Sequence, residues 1–147
     1  MSEHESLTVL FLCTGNSARS IIAEYLLRRA GSPRFEVFSA GAHPKGEVHP
    51  LALEVLKEDY EIDALDARSK SWEEFRNVPL DFVITVCDNA KESCPIFPGH
   101  PATAHWGMPD PAAVEGTPEE RYAAFQEAAH VLQGRIERFR AEHLAFP

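Results

Sequence analysis

An apolar run from Thr8 to Leu12 leads directly into Cys13-Thr14-Gly15-Asn16-Ser17-Ala18-Arg19-Ser20, and an amphipathic stretch with Ile21, Ile22, Tyr25 and Leu26 follows. That order predicts a strand ending on a thiol, a loop of small residues, and a helix opened by an arginine. Backbone N–H groups in such a loop point inward and bind an anion, helped by the positive end of the helix. The same field stabilises a thiolate, so Cys13 is expected to have a lowered pKa and to act as a nucleophile. The planar fork of Arg19 can hold two oxygens of a tetrahedral oxyanion. Thr14, Gly15, Asn16, Ser17, Ala18, Arg19 and Ser20 are the candidate oxyanion-binding residues. The spacing of Cys13 and Arg19 alone also fits an inert core cysteine beside an ordinary helix start. The strand before the loop and the amphipathic run after it favour the anion-binding reading.

The rest of the chain alternates strands and helices. The first strand covers residues 7–12, and residues 18–30 form a helix closed by Gly31 and Pro33. Residues 35–39 alternate as a second strand closed by Gly41, and residues 50–59 form a short helix with Leu51, Leu53, Val55 and Leu56. A capped helical turn is expected at 71–75, a strongly apolar third strand at 80–86, and a short fourth strand at 102–105. A long helix then runs from 118 to about 142, with Tyr122, Phe125, Ala129, Leu132, Ile136 and Phe139 at helical spacing. The expected fold is a single α/β domain over residues 1–147: a doubly wound sheet of four parallel strands in the flavodoxin-like order. In that order the first and third strands are neighbours at the topological switch point, and ligands bind at their carboxyl ends. Cys13 and Cys87 therefore meet at one crevice, from opposite halves of the sequence.

Charge and cysteine usage narrow the chemistry. With 147 residues the chain suits one compact domain, and its formal net charge of -9 argues against nonspecific nucleic-acid binding and against docking on anionic lipid. The polar N-terminus and the lack of any apolar stretch near the roughly 20 residues of a membrane span predict no membrane partner and a cytoplasmic location. Three cysteines are an odd number and too few for a disulfide scaffold, which fits a reducing compartment. Cys94 follows Cys87 by seven residues. Across a regular helix their Cα atoms would lie about 10 Å apart, whereas a disulfide needs them within roughly 7 Å. The two can pair only if the segment between them loops or unwinds. Cys87 read alone fits a core residue at a strand end and Cys94 a surface thiol; together with Cys13 they suggest thiol–disulfide exchange. His43, His49, His100 and His105 are scattered and form no metal-ligand pattern, so no metal centre is expected.

The segments from Val9 to Ser20 with Ala23-Glu24, from Cys87 to Cys94-Pro95-Ile96-Phe97-Pro98, and His105-Trp106-Gly107-Met108-Pro109-Asp110-Pro111-Ala112 together resemble the low-molecular-weight tyrosine phosphatase superfamily, and within it the thioredoxin-coupled arsenate reductase branch. The resemblance implies a low-molecular-weight-phosphatase-like fold and a role for each matching position. Cys13 would attack arsenate, with Arg19 and the loop amides binding the oxyanion. Asp110 would be the general acid for the departing oxygen. Cys87 would attack the Cys13–arsenic adduct, leaving a Cys13–Cys87 disulfide. Cys94 would then move the disulfide outward for reduction by thioredoxin or another thiol donor. Asn16 and Ser17 match positions that hold the loop. Some members bind a monovalent cation near the loop, and Asn16, Glu24 and Ser39 match such a site. The implied cofactor is thus at most a monovalent cation such as potassium, with nothing tightly bound. Ala18 stands where several relatives carry a cysteine, which removes a competing thiol.

Independent chemistry supports the relay, since reduction of arsenate needs two electrons and two thiols closing to one disulfide supply them. Read without the resemblance, Asp110 before Pro111 also fits a turn residue. Two other functions compete. A tyrosine phosphatase would use Cys13, Arg19 and Asp110 in the same way, with water resolving a phosphocysteine. Phosphatase relatives usually place aromatic residues after the Asp-Pro, where Ala112-Ala113-Val114 stands here, and they have no use for Cys87 and Cys94. A non-catalytic oxyanion or arsenite sensor would use the three thiols as ligands and leave Asp110 without a role.

Overall fold

The computed structural model describes residues 6–31, 34–88 and 102–144. Four strands, β1 (Leu7–Cys13), β2 (Phe35–Gly41), β3 (Phe82–Thr85) and β4 (Ala102–His105), form one sheet in the order β2-β1-β3-β4. Every pairing is parallel. β2 and β3 flank β1 on opposite sides, so the winding reverses at β1 and creates a crevice at its carboxyl end. As the central strand, β1 is buried on both faces along Val9–Leu12, which is why its sequence is a continuous apolar run.

The two faces of β1 serve two cores. Val9, Phe11 and Cys13 face a large cluster that also holds buried residues of α1 (Arg19–Gly31), α2 (Pro50–Tyr60) and α3 (Pro118–Leu144). Leu10 and Leu12 face a smaller cluster with Ala40, Val83 and Phe75, the last from a 3₁₀ turn at Trp72–Phe75. The connection from β2 to β3 thus begins with α2 on the same side as α1 and then crosses, through the 3₁₀ turn, the face opposite α1.

Local signals explain the element ends. His49 N-caps α2, its Nδ1 accepting from Leu51 N–H at 3.1 Å, with Pro50 at the first helical position. Thr117 and Glu120 form a reciprocal capping box ahead of α3, with Thr117 N–H on Glu120 Oε1 at 2.8 Å and Glu120 N–H on Thr117 Oγ1 at 3.1 Å. Phe125, Ala129, Leu132, Ile136 and Phe139 are buried, as the spacing predicts. β3 is shorter than the expected 80–86, yet Asp81 N–H still reaches Thr8 O at 2.9 Å and Val86 N–H reaches Leu12 O at 3.0 Å, so pairing to β1 continues past both ends. Trp106 is a packing residue, its ring 5.7 Å from that of Phe11 and 6.0 Å from that of Phe139. Among the described residues, no helix is long and apolar enough to cross a membrane.

Candidate active site

The loop between β1 and α1 is held from outside by its carbonyls. Ala42 N–H donates to Cys13 O at 3.1 Å, His43 N–H to Thr14 O at 2.8 Å, Lys45 N–H to Gly15 O at 3.0 Å, and His49 N–H to Ser17 O at 2.9 Å. Ser69 Oγ adds a second donor to Gly15 O at 3.1 Å. In a trans peptide the C=O of one residue and the N–H of the next point in opposite directions. Carbonyls 13, 14, 15 and 17 turned outward therefore turn the N–H groups of Thr14, Gly15, Asn16 and Ala18 inward, toward the cradle an oxyanion would fill. Asn16 makes the turn with φ of 48°, in the left-handed region that asparagine tolerates better than most residues.

Cys13 is a free, buried thiol at the floor of this cradle. Its Sγ lies 3.0 Å from Ser20 Oγ and 3.3 Å from Asn16 N–H, two groups able to donate to a sulfur anion. Behind it runs a hydrogen-bonded chain. Asn16 Nδ2 donates to Ser20 Oγ at 2.7 Å and to Ser39 Oγ at 3.0 Å, while Asn16 Oδ1 accepts Lys70 N–H at 2.8 Å. Ser39 Oγ donates to Glu24 Oε1 at 2.6 Å, and Glu24 Oε2 takes Arg28 Nη2 at 2.6 Å. The Lys70 ammonium lies 3.4 Å from Ser39 Oγ and 3.0 Å from Arg68 O. Burial raises the Glu24 carboxyl above its ordinary range, and the nearby Lys70 charge pulls it back. Burial likewise lowers Lys70, and Glu24 opposes that. Each charge thus offsets part of what burial does to the other.

Arg19 is buried, with Nη1 donating to Met108 O at 3.2 Å and facing Val86 O at 3.5 Å. Its other terminal nitrogen, Nη2, lies 3.8 Å from Asp110 Oδ2. Asp110 is half-buried and plays two parts. Its Oδ1 caps the 3₁₀ turn Pro111–Ala113 by accepting Ala112 N–H at 2.9 Å, and Oδ2 is turned to Arg19. Cys13, the loop residues 14–18, Arg19, Asp88 and Asp110 line one cavity of about 500 Å³. Cys87 is buried two residues beyond β3, next to β1, and it is disulfide-bonded. Cys94, His100 and residues 95–98 lie outside the described residues.

The structure thus brings Cys13, the loop, Arg19 and Asp110 together, and sets Asn16, Glu24 and Ser39 side by side behind them. Reasoning from the sequence missed three contributors. Gly41 ends β2 against the loop: a Cβ there would stand 2.7 Å from Thr14 O and 3.0 Å from Asn16 N, so only glycine fits. Lys45 lays its side chain over Gly15 and lines the cavity. Lys70 sits between Arg68, Ser69 and Ser71, where nothing local marks it as buried. A glycine placed just past a strand that must meet the loop was the one available signal.

A family model described as low molecular weight phosphotyrosine protein phosphatase matches residues 8–144. The chain is 40% identical over 135 residues to the arsenate reductase of Shouchella clausii, spanning 89% of this chain and 93% of that protein. It is similar in structure to the thioredoxin-dependent arsenate reductase of Corynebacterium glutamicum, with a TM-score of 0.72 and 30% identity, covering 98% of this chain and 65% of that one. A low molecular weight protein tyrosine phosphatase from T. tengcongensis gives a TM-score of 0.73 at 25% identity, covering 93% of this chain and 99% of that one.

Proposed function

The chain belongs to the low molecular weight phosphotyrosine protein phosphatase family, and from that premise we propose that it is an arsenate reductase working through a thiol relay. The observation that carries the relay is the adjacency of β1 and β3, which puts the anion cradle with Cys13 and the buried Cys87 at the same end of the sheet. The Cys13 thiolate attacks arsenic and forms a sulfur–arsenic bond. An oxygen leaves as water, with its proton supplied by Asp110. The loop amides and Arg19 hold the remaining oxygens. The Cys87 sulfur then attacks Cys13 Sγ. The sulfur–arsenic bond breaks, its electron pair reduces arsenic from the +5 to the +3 state, and arsenite departs. Cys94 attacks Cys87, frees Cys13 as a thiolate and takes the disulfide outward, where thioredoxin in the cytoplasm reduces it.

Hydrolysis of small aryl phosphates is a weaker second activity, because Cys13, Arg19 and Asp110 suffice for a phosphocysteine that water resolves. Ala112 and Ala113 beside Asp110 offer no ring to stack on a tyrosine. The test is arsenate-dependent NADPH oxidation with thioredoxin and its reductase, run beside aryl-phosphate hydrolysis. Substituting Asp110→Asn should lower turnover in both assays by about a hundredfold, and Arg19→Lys should lower it because a point charge cannot grip two oxygens in one plane. Phosphate-ester turnover without any arsenate-dependent oxidation would reverse the order of the two activities.

A further inference from the structure

We propose that the Lys70 ammonium is a built-in monovalent cation: it takes the place beside Ser39 and Glu24 that a bound potassium ion would otherwise hold, so the anion loop of this chain is organised without a metal. The hydrogen bonds decide this. Lys70 N–H can only donate, so the atom of Asn16 that meets it at 2.8 Å is the amide oxygen. Asn16 therefore turns its amide nitrogen, with two donor hydrogens, toward Ser20 and Ser39. It presents no oxygen to a metal there. Ser39 is equally committed. A hydroxyl has one hydrogen and two lone pairs. The hydrogen goes to Glu24 Oε1 at 2.6 Å, and the lone pairs take Asn16 Nδ2 at 3.0 Å and Lys70 Nζ at 3.4 Å. Of the three residues matched to a cation site, only Glu24 is anionic, and it already faces Arg28 and Lys70. A metal ion would have to displace the ammonium.

Lys70 acts on the reaction only through other residues, which makes it a positioning residue. Its backbone N–H and its ammonium bracket Asn16 and Ser39, and Asn16 passes the constraint to Ser20 and so to Cys13. Beside it lies a cavity of about 210 Å³ lined by Glu24, Arg28, Asp66, Arg68 and Lys70 among others. That cavity gives a small cation a route to Ser39 once the lysine side chain is shortened.

The test compares the wild-type protein with Lys70→Ala, and with Lys70→Ser as a second variant that keeps a polar group. Thermal midpoints and kcat/KM are measured in potassium chloride and in choline chloride at matched ionic strength. The wild type should be indifferent to the choice of salt. In choline, both variants should lose roughly tenfold in kcat/KM, the scale for residues that orient groups touching a reacting atom. Potassium should restore most of that loss and raise their thermal midpoints by about 5 °C. Lys70→Met, which refills the space with an apolar chain, should lose activity and gain nothing from potassium. The idea is overturned by a wild type that potassium stabilises or stimulates, by truncated variants that keep full activity, or by truncated variants that are impaired but indifferent to potassium. The thermal readout needs no substrate, so the proposal stands or falls apart from the arsenate reading.

Discussion

The two strands that lead to the reacting thiols end in different ways. β1 is central and seven residues long, and the loop after it has four carbonyls tied to residues 42–49. β3 is four residues long, and its outer neighbour β4 is exposed along its whole length. In the proposed function the first end presents N–H groups to an oxyanion at fixed distances, because only preorganised donors stabilise charge without rearranging at the moment of reaction. In the proposed relay the second end delivers a sulfur to two successive partners. One end is built for geometry and the other for exchange, and variants at each should show it.

The largest effect is chemical. Cys13→Ser should lower both arsenate reduction and aryl-phosphate hydrolysis by at least about a thousandfold, since a hydroxyl forms no anion at neutral pH. Cys87→Ser should end arsenate reduction alone, leaving hydrolysis within about threefold of the wild type. Loss of both activities in the Cys87 variant would erase the distinction between the two ends. Next comes Gly41→Ala, whose new Cβ meets loop backbone at 2.7 Å. It should cost about 1–3 kcal/mol of stability and lower turnover by roughly a hundredfold through misplacement of the loop, read by denaturant titration and kinetics.

A smaller effect comes from pH. Burial holds the His49 imidazole below its ordinary 6.5, and Arg121 pushes the same way. The unfolded chain therefore takes up the proton first as pH falls, so the contribution of His49 is full above 6.5 and declines below it. Protonation also removes the Nδ1 acceptor of the α2 cap, a loss of about 1 kcal/mol. Thermal midpoints of the wild type should fall relative to His49→Asn as pH drops through that window, and parallel profiles would acquit His49. The smallest effect belongs to the β3 end. At Gly107 a new Cβ would meet the tip of the exposed His105 ring, which can turn away only by giving up its 2.6 Å hydrogen bond with Thr85 Oγ1, so Gly107→Ala should cost about 0.5 kcal/mol in the same titration.

What the sequence disclosed follows the same division. Residues 8–26 carry strand, thiol, loop and helix in one local pattern, so Cys13 and Arg19 could be read directly. The meeting of the β1 and β3 ends followed from two apolar runs and the rules of parallel sheets. Asp110 could be read either as a turn residue or as an acid; the structure shows the turn role directly, with Oδ1 capping the 3₁₀ turn, and leaves Oδ2 facing Arg19, where the proposed acid role would be exercised. Lys70 and Gly41 escaped because their roles exist only across the packed interface of β2 with the loop. A lysine flanked by Arg68, Ser69 and Ser71 has the look of solvated surface until the partner 54 positions away is in place.

That separation has a consequence for the newborn protein. The cradle is completed by donors on residues 42–49 and 69–70, all synthesised after the loop they hold. A ribosome-bound chain that stops before residue 70 lacks the last of those donors, so the loop that carries Cys13 is still unshaped. The loop takes its final shape only when about half of the polypeptide has emerged and docked, so the site is assembled late in synthesis although its thiol is among the first residues made.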